Sequence, residues 1–128
     1  MSGFYTGVNA QLLAWALGDR PDEIKLRVAT VSDAYVFEPA HTAEQITGVL
    51  DEQDLVGAIN DSTVVANALT VTGLTPGVVI QGFVFFFAWE GGAKPICFVN
   101  QATDLNLPYL AVSSQIDVRF PSTGIFRI

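Results

Sequence analysis

Apolar and polar residues alternate over several short stretches of the chain, and alternation with a period of two predicts β-strands. In the stretch 24–28, apolar positions alternate with Lys25 and Arg27, and 116–120 repeats the pattern. Ser32-Asp33 and Asn60-Asp61-Ser62 are typical of strand ends and turns. Further extended segments are predicted at 34–38, 53–59, 63–72 and 125–128.

The most apolar segment, Val78–Trp89, departs from this alternation. From Phe83 it has the sequence FVFFFAW, which places apolar side chains on both sides of a strand. A strand of this kind is covered on both faces. The sequence leaves open whether Phe83–Phe87 face the core of this chain or a neighbouring subunit.

Two helical segments are predicted. In the first, Val8–Leu17, five apolar residues are expected on one side, and Gly18 is expected to end the helix. These five are Val8, Leu12, Leu13, Ala16 and Leu17. In the second, Thr42–Leu50, Thr42 is a candidate N-cap with Gln45 at the capping-box position.

These elements predict a mainly β fold, a β-sandwich or jelly-roll-like domain with a short N-terminal helix and a candidate small internal helix. A length of 128 residues is that of a single domain. Within it we expect an N-terminal arm and helix over 1–18 and the β-sandwich over 22–128.

The composition excludes several classes of function. Half of the residues are apolar, 15% are charged, and the formal net charge is −7. An apolar chain of this kind is not disordered, and its negative charge opposes binding to nucleic acid or an anionic membrane. We expect neither a signal peptide nor a transmembrane helix. So many apolar residues in a small domain predict that some of them contact a partner subunit.

Candidate catalytic chemistry is sparse. His41 lacks a recognisable nucleophile motif and is interpreted as a surface or turn-stabilising histidine, and Cys97 as a small buried apolar residue. The acidic groups at 19–23 and 51–54 do not match a calcium loop and are interpreted as solvated turns. We therefore expect no enzymatic activity, no catalytic residue, no cofactor and no metal site.

Aromatic residues are the candidate interface residues. Aromatic side chains are enriched in protein interfaces, and several stand near the chain ends or in the most apolar segment. The candidates are Phe4, Tyr5, Trp15, Phe85, Phe87 and Phe126. The sequence favours interface and core equally for Phe4, Tyr5 and Trp15, and it leaves the choice open for Phe85 and Phe87. It also predicts that the edge strands near both termini accept a partner strand.

The order of motifs resembles a family of small virion structural proteins of tailed bacteriophages, which are encoded near the head and capsid genes. The similarity extends over nearly the whole chain. It is carried by Asp22–Val28, Tyr35, Pro39, His41-Thr42, Glu44, Ile46, Asn67–Gly73, Val79–Phe87, Ile96–Thr103, Leu107-Pro108 and, at the end, Ile116, Val118, Phe120, Gly124, Ile125, Phe126 and Ile128.

The resemblance implies a non-enzymatic structural protein of the phage particle. We expect a decoration or cement protein of the phage head, assembled in the host cytoplasm. Its expected partners are the major capsid protein and copies of itself, with a trimer as the candidate assembly. A component of the neck or tail is the alternative. A carbohydrate-binding β-sandwich is a third, which exposed Trp89 and Tyr109 rings would favour because only exposed rings can stack on a sugar.

Overall fold

The structure is a computed structural model that describes residues 3–18, 21–55, 57–60, 63–66, 69–100, 102, 107–120 and 126–127, with the backbone alone for 57–60, 63–66 and 126–127. Its elements, in chain order, are β1 (Gly3–Phe4), α1 (Gly7–Ala16), β2 (Lys25–Ser32), a 3-10 turn (Ala43–Gln45), β3 (Val49–Leu55), β4 (Gly57–Asn60), β5 (Thr63–Ala66), β6 (Leu69–Val71), β7 (Val79–Trp89), β8 (Gly92–Val99), β9 (Tyr109–Leu110), β10 (Ile116–Val118) and β11 (Phe126–Arg127).

The described strands form three antiparallel sheets. The main sheet has the order β1-β8-β7-β2-β3, and β9 pairs with β7 beyond the end of β8. A second sheet pairs β10 with β6, and a third has the order β11-β5-β4. The predicted mainly β, sandwich-like fold with a short N-terminal helix is confirmed.

Strand β7 lies in the middle of the main sheet and is covered on both faces. On one face, Phe83 and Phe85 belong to an apolar cluster that includes residues of β6 and β10. On the other face, Val84 and Phe86 belong to a second cluster that includes Tyr5. The missing alternation in β7 is therefore explained by two packed layers, as the sequence predicted.

Several predicted elements differ in extent. The stretch 34–38 is a turn and irregular backbone and not a strand. The predicted internal helix is only the 3-10 turn, although the capping box of Thr42 and Gln45 is present, because the chain enters β3 at Val49. The acidic residues 51–54 lie in β3 and not in a turn, and there Glu52 and Asp54 pair with Arg27 of β2.

The buried face of α1 also differs from the prediction. Val8 and Trp15 are the buried residues of this helix, and Leu12 packs against the core beside them. Leu13, Ala16 and Leu17, which were expected on the same side as Val8, are exposed. The spacing could not distinguish the two sides, because apolar residues surround this helix and the packing of Trp15 decides which side turns inward. Gly18 follows the helix with φ of 106°, as predicted for a C-terminal glycine.

Candidate interaction surface

The outward side of α1 carries the most exposed large apolar residue among those described. Leu17, the C-cap residue that directly follows the helix, is 89% exposed and Leu13 is 67% exposed, and the exposed residues Asn9, Ala10 and Ala16 complete this side. We call these five residues the α1 stripe. None of them is charged, and no charged side chain occurs from Met1 to Gly18. A contiguous apolar surface without charges is typical of a contact site.

Packing of aromatic rings holds α1 against the main sheet. The ring of Trp15 makes edge contacts with Phe87 and Trp89 of β7, with centroid distances of 5.4 and 5.2 Å. Val8 enters the core cluster at the other end of the helix. The stripe is therefore presented on a helix that is fixed at both ends.

The segment before α1 is anchored in the second cluster. The backbone N–H of Tyr5 donates to Ile96 O at 2.9 Å, and its hydroxyl shares a hydrogen bond with that of Tyr35 at 2.5 Å. The Tyr35 hydroxyl also lies 3.0 Å from Nδ1 of His41. Burial raises the pKa of both tyrosines above the usual range. This buried network fixes the start of the helix.

The six aromatic candidates have different surroundings. Phe4 is 45% exposed, whereas Tyr5 and Trp15 are buried. Phe85 is fully buried, so the choice between core and partner is decided for it in favour of the core. Phe87 is partly buried and packs against the same cluster. The side chain of Phe126 lies outside the described residues.

Sequence reasoning missed Leu13 and Leu17 as surface residues. The spacing predicted both on the buried side of the helix, and the predicted interface residues were aromatic. The signal for an exposed apolar side was a helix that has apolar residues on several sides and no charged residue. Such a helix normally lies in a core, so apolar residues exposed on one side of it are candidates for a contact with a partner.

His41 and Cys97, the residues considered for catalysis, make contacts that are typical of structural residues. His41 contacts Tyr35, and its Nε2 lies 3.5 Å from a carboxylate oxygen of Glu38, three residues earlier. Cys97 is buried, and burial raises the pKa of its thiol, which disfavours the reactive thiolate. Among the described residues, no group of three or more His, Cys, Asp or Glu could hold a metal ion.

A groove of about 600 Å³ lies beside the Trp89 end of β7. Its lining is mostly charged and includes Lys25, Arg27 and Asp54, which form cross-strand ion pairs. Trp89 lines the groove but is only partly exposed, and Tyr109 is also partly exposed and packs against the core. Neither ring is the freely exposed platform that would favour sugar binding.

In the part of the chain that the structure describes, no helix is long and apolar enough to cross a membrane. Comparisons with protein-family models, curated proteins and solved structures found no match to this chain. The resemblance to the phage virion family therefore stays a prediction from the sequence.

Proposed function

We propose that this chain is a structural protein of a tailed-phage particle, with decoration of the head shell as its role. The observation that carries this proposal is the α1 stripe, an uncharged and mainly apolar surface on a helix that is anchored at both ends. Exposed apolar area of this kind contributes binding free energy when a neighbouring protein covers it. The resemblance of the sequence to small virion proteins supplies the biological setting.

The physical work of such a protein is to hold neighbouring shell subunits together. Each contact is small, but many copies on one particle act together through multiplicity. The net charge of −7 is compatible with this role, because an acidic protein does not adhere to packaged DNA. The residues proposed for the contact are Leu13 and Leu17, with Phe4 as a further candidate close to the start of the helix.

The copy number per particle tests this proposal. Quantitative mass spectrometry of purified virions of the encoding phage compares this chain with the major capsid protein. A ratio near one, or a fixed large fraction of it, supports a shell protein. A handful of copies contradicts decoration and favours the neck or tail. Absence from the particle contradicts the virion role altogether and favours a ligand-binding role, for which the groove beside Trp89 is the candidate site.

A second experiment connects the role to the surface. Shells from a phage that lacks this gene are incubated with the purified chain, and bound protein is measured after sedimentation. Leu13→Asp and Leu17→Asp together are expected to lower binding at least tenfold. The matched control is Val112→Asp, which changes a residue that is 75% exposed and follows β9 at the opposite end of β7 from Trp89. Equal binding by all variants would exclude the α1 stripe from the contact.

A further inference from the structure

The α1 stripe has a regular geometry. At 100° per residue, positions 9, 10, 13, 16 and 17 fall within an arc of about 120° on the helix surface. Leu13 lies at the middle of the stripe along the helix axis, Asn9 and Ala10 at one end, and Ala16 and Leu17 at the other. The side chains at the Asn9 end of the stripe are therefore small, whereas Leu13 at the centre and Leu17 at the other end are bulky.

Charge restricts where two copies of this chain can meet. Each copy carries a formal net charge of −7, so two copies repel each other over most approaches. The α1 stripe has no charged residue, so a contact between two stripes buries no acid against another acid.

Size also favours pairing of the stripe with itself. In an antiparallel pair centred on Leu13, position i of one helix lies opposite position 26 − i of the other, so Leu17 faces Asn9 and Ala16 faces Ala10. Each bulky end meets a small end, and the small residues allow helix axes to approach to about 8–10 Å. A parallel pair would place Leu17 against Leu17 and leave the small ends apart.

We infer that the α1 stripe binds the α1 stripe of a second copy in an antiparallel, two-fold symmetric contact centred on Leu13. This inference rests on the proposed function and names the partner of the same surface: copies bound to the shell pair through their α1 stripes, and substitution of Leu13 and Leu17 lowers shell binding because it removes this pairing. A two-fold contact uses the same patch on both subunits. A ten-residue helix is only about 15 Å long, so the area falls short of the roughly 800 Å² per partner of a standard interface. The dimer is therefore expected to be weak, with a dissociation constant in the micromolar range or above.

Sedimentation equilibrium of the purified chain over a concentration series tests the dimer. The wild-type chain and the control Val112→Asp are expected to show the same monomer–dimer equilibrium. Leu13→Asp is expected to weaken association at least tenfold, because it places two carboxylates together at the two-fold axis. A monomeric wild type at millimolar concentration, a trimer, or equal association by Leu13→Asp would overturn the inference. Far-UV circular dichroism verifies that each variant is folded.

Cysteine cross-linking tests the geometry without introducing a charge. Under mild oxidation, Leu13→Cys is expected to form a disulfide with its own counterpart, because facing Cα atoms then lie within the limit of about 7 Å. Leu17→Cys alone is expected to remain monomeric, whereas a mixture of Leu17→Cys with Asn9→Cys forms the cross-linked heterodimer. The wild type is the background control, because its Cys97 is buried.

Each cross-linking outcome decides one feature of the contact. Efficient self-linking of Leu17→Cys would overturn the antiparallel arrangement in favour of a parallel one. No cross-link by any of the three variants would overturn the contact. These experiments use purified protein only, so their failure is distinguishable from absence of the chain from the phage particle, which would contradict the proposed function instead.

Discussion

At the scale of single residues, a buried hydroxyl pair connects the N-terminal segment to the rest of the chain. The rings of Tyr5 and Tyr35 are each 1% exposed, and they share a hydrogen bond of 2.5 Å. A buried polar group is costly unless it is paired, so the Tyr5 hydroxyl depends on Tyr35, whereas the Tyr35 hydroxyl has a second partner. His41 extends this pairing towards the surface.

We expect Tyr5→Phe to lower the free energy of unfolding by about 1–3 kcal/mol. The substitution keeps the ring packing but removes the hydrogen bond to Tyr35. Urea denaturation followed by circular dichroism measures the change. Thr6→Val is the control, because Thr6 is exposed and its hydroxyl donates to Pro39 O at 3.2 Å, so its loss is expected to cost under about 0.5 kcal/mol. Equal effects of the two substitutions would contradict a special role of the buried pair.

Alkaline pH is expected to destabilise the fold. Burial raises the folded-state pKa of Tyr5 and of Cys97, so both groups stay neutral in the folded chain at a pH where they ionise in the unfolded chain. Their contribution to stability is complete below the unfolded pKa values of about 8.5 for cysteine and about 10 for tyrosine, and it declines as the pH rises above them.

Urea denaturation at pH 7, 9 and 10.5 measures this decline. Tyr5→Phe is expected to have a smaller loss of stability between pH 9 and 10.5 than the wild type, because it removes one ionising group. A wild-type free energy of unfolding that stays constant over this range would contradict the burial of these two groups.

At the scale of elements, α1 has two different apolar sides with different consequences. The inner side, with Val8 and Trp15, is part of the core, and the outer side belongs to the α1 stripe. Substitutions on the two sides should therefore separate stability from association. The same helix also explains why an N-terminal truncation is a poor test of binding.

Removal of residues 1–10 is expected to destabilise the whole fold by at least about 3–5 kcal/mol, because it deletes the buried Tyr5 and Val8 together with β1. In contrast, Leu17→Ser is expected to change stability by no more than about 0.5 kcal/mol. Thermal unfolding of both variants measures the difference, and a truncated chain as stable as the wild type would contradict the anchoring of this segment.

At the scale of the whole molecule, the net charge and the exposed apolar surface have opposite effects on the association of copies. The net charge of −7 keeps copies apart, whereas the α1 stripe favours their association. Cross-strand pairs such as Arg27 with Asp54, at 3.0 Å, lie at the surface and contribute at most about 1 kcal/mol each. Because these weak pairs lie within one chain, we expect salt to act on association mainly by screening the repulsion between two copies.

We expect dimerisation to strengthen as the salt concentration rises from 20 to 500 mM NaCl. Salt shortens the range of repulsion between the two acidic copies and leaves an apolar contact intact. Sedimentation equilibrium at both concentrations measures the dissociation constant. A dimer that weakens with salt would mean that ion pairs, and not the α1 stripe, hold the copies together.

The local features of this protein follow from its sequence alone. Alternation located β2 and β10, the unbroken apolar run located β7 and its two covered faces, and Gly18 marked the end of α1. These features depend on neighbouring residues only, since the period of side-chain direction and the φ preference of glycine act locally.

The tertiary structure decided which apolar residues are covered. It buried Trp15 against β7, exposed Leu13 and Leu17, and placed Phe85 in the core. It also limited the predicted helix at 42–50 to a 3-10 turn, because the chain from Val49 onwards forms β3 and pairs with β2. Burial depends on contacts between residues far apart in the chain, and a helix that is apolar all round contains no local information about which side will meet the sheet.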